Sequence, residues 1–106
     1  MIRLFKISGH SMEPVLHSGE YFLVTKFGKP KVNDIVVIMH PGKKRMFLVK
    51  RIKKKLKNGE YLVSGDNLGH SEDSRKFGAV KEAQIIGKLS FCYWPPEKFG
   101  FLRKTL

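Results

Sequence analysis

The apolar residues of this chain come in strand-sized runs, each ended by glycine, proline or asparagine, and no long amphipathic helix is visible. Residues 2–7 alternate weakly, and residues 21–25 are rich in aromatic and β-branched types. Gly28 to Pro30 then break the chain. Residues 34–39 form a continuous apolar strand, which predicts burial on both faces. Pro41-Gly42 marks a turn over residues 40–44. Residues 46–55 and 61–64 flank Asn58-Gly59, a strong hairpin signal. A polar loop covers residues 65–78, and residues 85–93 make the last long strand before Trp94-Pro95-Pro96. Residues 12–16 fit one helical turn. The expectation is an all-β chain, a small barrel or coiled sheet with short helical turns only.

The 106 residues suffice for one domain with one core, and 42% of them are hydrophobic, so the chain is expected to fold. No apolar run approaches the roughly 20 residues that cross a bilayer. The first seven residues are too short for a signal peptide and contain Lys6. The expected location is therefore cytoplasmic, or peripheral at a membrane surface. Twenty-one Lys and Arg against 9 Asp and Glu leave a net charge of +12, which favours anionic partners such as acidic lipid or nucleic acid. The run of residues 50–57 concentrates that charge, although charge runs are mostly solvated faces. Cys92 is the single cysteine, so an internal disulfide and a thiolate metal cluster are both excluded. His10, His17, His40 and His70 are too scattered for ligand spacing, and neither a metal nor a cofactor is expected.

Three segments carry chemistry. Gly9 permits a tight turn, Pro14 stiffens the exit, and Ser11 lies between them. Such a turn presents a hydroxyl and aims backbone N–H groups at a developing oxyanion. A serine hydroxyl is a weak nucleophile until a base takes its proton. Strand alternation places Lys50 on one face with Met46, Leu48 and Ile52, while Phe47, Val49, Arg51 and Lys53 take the other. Bringing a lysine from about 10.4 to about 7.5 requires about 4 kcal/mol of differential solvation, which burial among apolar neighbours supplies. The third segment runs from Gly65-Asp66-Asn67 through Ser71, Asp73, Ser74 and Arg75 to Phe77-Gly78. Ser71 can hydrogen-bond an amine, and Asp73 can pair with Arg75.

Together, and in this order, the segments resemble the signal peptidase I group of serine proteases, which uses a Ser-Lys dyad. Ser11-Met12-Glu13-Pro14 is similar to the nucleophile box, residues 33–37 to the strand that follows it, Val49-Lys50-Arg51-Ile52 to the base box, and residues 65–78 to the closing box. The resemblance covers roughly residues 7–87. It implies Ser11 as nucleophile, Lys50 as general base, Ser71 as the residue orienting the Lys50 amine, and Asp73 with Arg75 as a structural pair. The backbone N–H groups of Ser11 and His10 would hold the oxyanion. Bacterial leader peptidases often have a hydroxyl residue two places before the nucleophile, where this chain has Gly9. Gly-x-Ser-Met is instead similar to mitochondrial inner-membrane peptidases and repressor-type self-cleaving proteases. Asn33 stands where the group usually has glycine, the hairpin between Ile52 and Val63 is minimal, and the membrane anchor of many relatives is not in this sequence. Small anchorless relatives include proteases proposed to mature nickel-type superoxide dismutase, and the ending Tyr93-Trp94-Pro95-Pro96, then Phe99-Gly100, resembles both that branch and the mitochondrial branch.

The expected activity is removal of an N-terminal signal or pro-segment from another protein, bound as an extended strand against an edge near residues 16–23 or 47–49. Peripheral contact with an anionic membrane is a further expectation. Two alternatives stand beside it. A self-cleaving regulator needs a cleavable arm upstream of the serine, and only ten residues precede Ser11 here. A non-enzymatic basic β-domain would bind nucleic acid or acidic lipid, but exposed aromatics do not interleave with the lysine run, so nucleic acid is disfavoured.

Overall fold

Ile35, Val36, Val37 and Ile38 are four apolar side chains in a row, and all four are buried, on alternating sides of one sheet. The computed structural model describes residues 2–26, 28–43, 46–67, 69 and 74–101. Its strands are β1 (Ile2–Lys6), β2 (Tyr21–Thr25), β3 (Ile35–Met39), β4 (Phe47–Lys55), β5 (Tyr61–Ser64), β6 (Ile85–Trp94) and β7 (Gly100–Phe101). Every pairing is antiparallel. The order is β1-β2-β6-β3-β4-β5, with β7 added to β6, so the sheet is an open path rather than a closed barrel. Helical structure among the described residues is confined to short turns, including α1 (Ser74–Phe77). The chain is all-β, as expected from its sequence.

The faces of β3 divide the core in two. Ile35 and Val37 join Ile7, Met12, Leu16, Phe22, Val24, Leu89 and Cys92 in one buried cluster. Val36 and Ile38 join Ile52, Tyr61, Val63, Val80 and Ile85 in the other. This is the two-sided burial that an uninterrupted apolar strand predicts.

Strand β6 crosses from one half of the sheet to the other, pairing with β2 along one edge and β3 along the other. Gly87 makes this close approach possible. A Cβ there would lie 2.6 Å from Val24 Cγ1 and 2.9 Å from the Thr25 carbonyl oxygen, so β2 leaves no room for a side chain.

The Asn58-Gly59 hairpin forms with Gly59 at φ 86°. Gly59 N–H donates to Leu56 O at 3.0 Å, and Leu56 N–H to Glu60 O at 2.8 Å. That is a turn followed by a left-handed glycine, one of the common longer hairpin loops. Asn58 Oδ1 accepts the Glu60 N–H at 2.9 Å and locks the corner.

Candidate active site

Ser11 opens the helical turn that follows β1. Gly9, at φ 81°, lets the chain leave the strand and reverse. Met12 and Leu16, one turn apart, are both buried in the first cluster, and Leu16 N–H donates to Met12 O at 2.9 Å. With Met12 pointing into the core, Ser11 is left half-buried at its rim. The neighbouring His10 and Glu13 side chains meet across the turn, Nδ1 to Oε2 at 2.6 Å.

Lys50 sits in β4 opposite Val36, between Leu48 and Ile52, so its face is that of the second cluster. It is 2% exposed, and among the described residues no other lysine is buried. Burial of this depth penalises the ammonium form of a lysine. Leu48 and Ile52 are the face-mates expected from alternation. Met46 is not one of them, because it precedes the strand and is exposed.

On the opposite face, Arg51 does work that alternation alone did not assign to it. Its guanidinium grips the Asp66 carboxylate in a fork, Nε to Oδ1 at 2.8 Å and Nη2 to Oδ2 at 2.7 Å. Nη1 donates to Asn33 O at 3.1 Å. The hydrogen bonds to Asp66 push the guanidinium further above its ordinary value, against the opposing effect of burial.

Asp66 and its neighbour are fastened in turn to the serine turn. Asp66 N–H points at Met12 Sδ, 3.4 Å away. Asn67 N–H donates to Ser11 O at 2.8 Å, and Asn67 Nδ2 to His10 O at 3.1 Å. The segment after β5 therefore spans from the lysine strand to the serine turn, and Arg51, Asp66 and Asn67 are its rivets. The density of small polar residues at Gly65-Asp66-Asn67 was the sequence signal for this segment. The partners were not readable, because they lie 15 and 57 positions away.

Ser71 and Asp73 lie outside the described residues, and of Arg75 only the backbone, in α1, is described. The end of the closing segment is anchored at Ser74, whose Oγ accepts the Val63 N–H at 2.9 Å. Phe77 packs on the second cluster. No group of three or more His, Cys, Asp or Glu among the described residues is placed to hold a metal.

β5 pairs with β4 only from Arg51 to Lys55, so along Phe47 to Val49 the flank of β4 away from β3 has no strand pairing among the described residues. Of the other expected edge, residues 16–23, the part in β2 from Tyr21 is paired on both sides, by β1 and β6, while residues 16–20 precede the strand.

Residues 2–90 match the Peptidase S24-like family. The chain is 32% identical to the mitochondrial ATP-independent inner membrane protease subunit 1a of Arabidopsis thaliana, in a match covering 92% of this chain and 73% of that protein. It is 54% identical over 43 residues to signal peptidase IB of Staphylococcus aureus strain MRSA252, and 56% identical over 41 residues to that of strain N315. Those two matches cover 41% and 39% of this chain, and each spans 22% of the staphylococcal protein.

Proposed function

The chain belongs to the S24-like peptidases as a signal-peptidase-I-like member, and on that premise we propose that it is a serine endopeptidase with Ser11 as nucleophile and Lys50 as general base. Its substrate is another protein, from which it removes an N-terminal signal or pro-segment. The observation that carries this reading is the burial of Lys50 on the strand whose next residue, Arg51, is riveted through Asp66 and Asn67 to the serine turn.

The substrate adds as an extended strand along the flank of β4 away from β3, at Phe47 to Val49, where backbone groups supply affinity without reading most side chains. Small residues just before the cut are the preference that the family resemblance implies. Neutral Lys50 takes the Ser11 proton as Oγ attacks the scissile carbonyl carbon. The carbonyl oxygen becomes an oxyanion, held by the backbone N–H groups of His10 and Ser11. The intermediate collapses, the C–N bond breaks, and the Lys50 ammonium returns its proton to the leaving amine. Water then adds to the acyl-enzyme as Lys50 accepts its proton, the acyl C–Oγ bond breaks, Lys50 returns that proton to Ser11 Oγ, and the new carboxyl terminus leaves. Ser71 orients the amine, and Asp73 with Arg75 stiffens the loop that carries it.

Contact with an anionic membrane surface is part of the same proposal. Leu4, Tyr93, Trp94 and Phe99 are all more than half exposed, on a chain of net charge +12. No helix among the described residues is long and apolar enough to cross a membrane.

The decisive experiment incubates wild type, Ser11→Ala and Lys50→Ala with candidate precursors and reads products by mass spectrometry. A single cut by wild type that vanishes in both variants is the expected result. A variant that cleaves at the wild-type rate refutes the dyad. A shift in the enzyme's own mass during incubation would favour the self-cleaving alternative.

A further inference from the structure

Asn67 touches both peptide groups that meet at the Ser11 α-carbon. Its side-chain Nδ2 donates to the carbonyl before that carbon, His10 O, at 3.1 Å. Its backbone N–H donates to the carbonyl after it, Ser11 O, at 2.8 Å. Fixing the two planes on either side of an α-carbon fixes φ and ψ there, and with them the direction of the Cα–Cβ bond. For Ser11 that bond carries Oγ.

The first of these contacts has a second effect. The His10 carbonyl and the Ser11 N–H belong to one trans peptide, so they point in opposite directions. A donor holding the carbonyl from one side therefore aims the N–H to the other. The same carbonyl also accepts the Glu13 N–H at 3.2 Å, within the turn. Two donors on one carbonyl polarise the peptide and strengthen its N–H as a donor.

We propose that Asn67 is a positioning residue for the nucleophile: its side-chain amide sets the orientation of the His10–Ser11 peptide, and through it the aim of both the Ser11 hydroxyl and the oxyanion-binding N–H. The proposal rests on the reading of Ser11 as nucleophile. Asn67 touches neither substrate nor the reacting atoms in this role. Arg51 holds the residue before it, so Asn67 presents its amide from a segment anchored to the lysine strand rather than from a free loop.

The test compares wild type with Asn67→Ala and with Asn67→Asp, which keeps the shape and replaces the donating NH2 by an oxygen. Two readouts are taken on the full chain. In precursor cleavage, both variants are expected to lose about tenfold to about a hundredfold in kcat, the scale of misplacing a reacting group, with KM within twofold of wild type. In backbone ¹⁵N relaxation, the Ser11 N–H order parameter is expected to fall from about 0.85 to below about 0.6, while β3 and β6 are unchanged. A purely structural role would lower the melting temperature and leave kcat and the Ser11 order parameter of the folded fraction as they were. Wild-type kcat in Asn67→Ala overturns the proposal, as does an unchanged Ser11 order parameter. If wild type cleaves no precursor, the peptidase reading fails, and the relaxation data alone then decide whether Asn67 orders the Ser11 peptide.

Discussion

Arg51 and Asp66 meet in a two-pronged ion pair at 2.8 and 2.7 Å, with their side chains only 6% and 12% exposed. An ammonium cannot replace this fork, because it offers a point charge where two parallel N–H bonds are needed. Arg51→Lys is expected to destabilise the chain by about 1–3 kcal/mol, and Arg51→Ala by about 3–5 kcal/mol, since it leaves a shielded carboxylate unpaired. Urea unfolding measures both. A double-mutant cycle with Asp66→Asn should return a coupling between about 0.5 and 3 kcal/mol, and additive losses would mean the two residues do not act together.

Gly87 predicts a steric effect that owes nothing to charge. Alanine there must push aside Val24 and the Thr25 carbonyl, and a backbone carbonyl in a paired strand has little freedom to yield. Gly87→Ala should cost about 1–3 kcal/mol, seen as a lower melting temperature. A neutral result would show that β2 and β6 can separate without penalty.

Asn33 is the one residue other than glycine with a left-handed backbone among the described residues, at φ 77°. Its N–H donates to Ile52 O at 2.8 Å and its carbonyl accepts from Arg51, so the conformation is held from both sides. Asn33→Gly is expected to be neutral or stabilising by up to about 1 kcal/mol, relief of strain being partly offset by backbone entropy. Asn33→Val should be destabilising by more than about 1 kcal/mol, because a β-branched side chain tolerates this region poorly. Equal melting temperatures for the two variants would contradict this account.

Burial pushes the Cys92 thiol above its ordinary value of 9.0, helped by the Glu20 charge and opposed by a backbone hydrogen bond at Trp94 and by the Lys98 charge. The folded chain therefore keeps a proton that the unfolded chain releases first. Its stabilising effect is complete below pH 9 and declines as pH rises through the folded value. Burial and the nearby Glu82 carboxylate act on Tyr61 in the same direction, above its ordinary value of 10.0. Chemical unfolding between pH 8 and 11 should show stability falling, and Cys92→Ala should flatten the earlier part of that fall. An identical pH profile in the variant would remove Cys92 as a cause.

The strands were legible because their signals are local. Residues 21–25 and 61–64 are strands with the limits their composition indicated, β1, β3, β4 and β6 differ by one residue at one end, and the short β7 was not expected. The two-faced burial of β3 followed from four apolar residues in a row. Strand order was not legible, because nothing local to residues 85–94 says that this strand inserts between β2 and β3. Lys50 could be placed on an apolar face by counting twos. Its neighbour Arg51 could only be assigned the other face, since alternation carries no information about a carboxylate 15 residues later. The roles of Ser71, Asp73 and Arg75 come from resemblance, and those side chains lie outside the described residues.

The placement of β6 has a consequence for a chain still leaving the ribosome. Without residues 85–94, β1 with β2 and β3 with β4 and β5 are two separate pieces that share no pairing. The serine turn joins β1 to β2 within the first piece, and Lys50 lies in the second. β6 is the long-range element that pairs with both, and such pairings form late because distant segments must first meet. On the proposed dyad, a nascent chain that has not yet paired β6 lacks the strand joining the piece that bears the serine turn to the piece that bears Lys50, so sheet completion would precede activity.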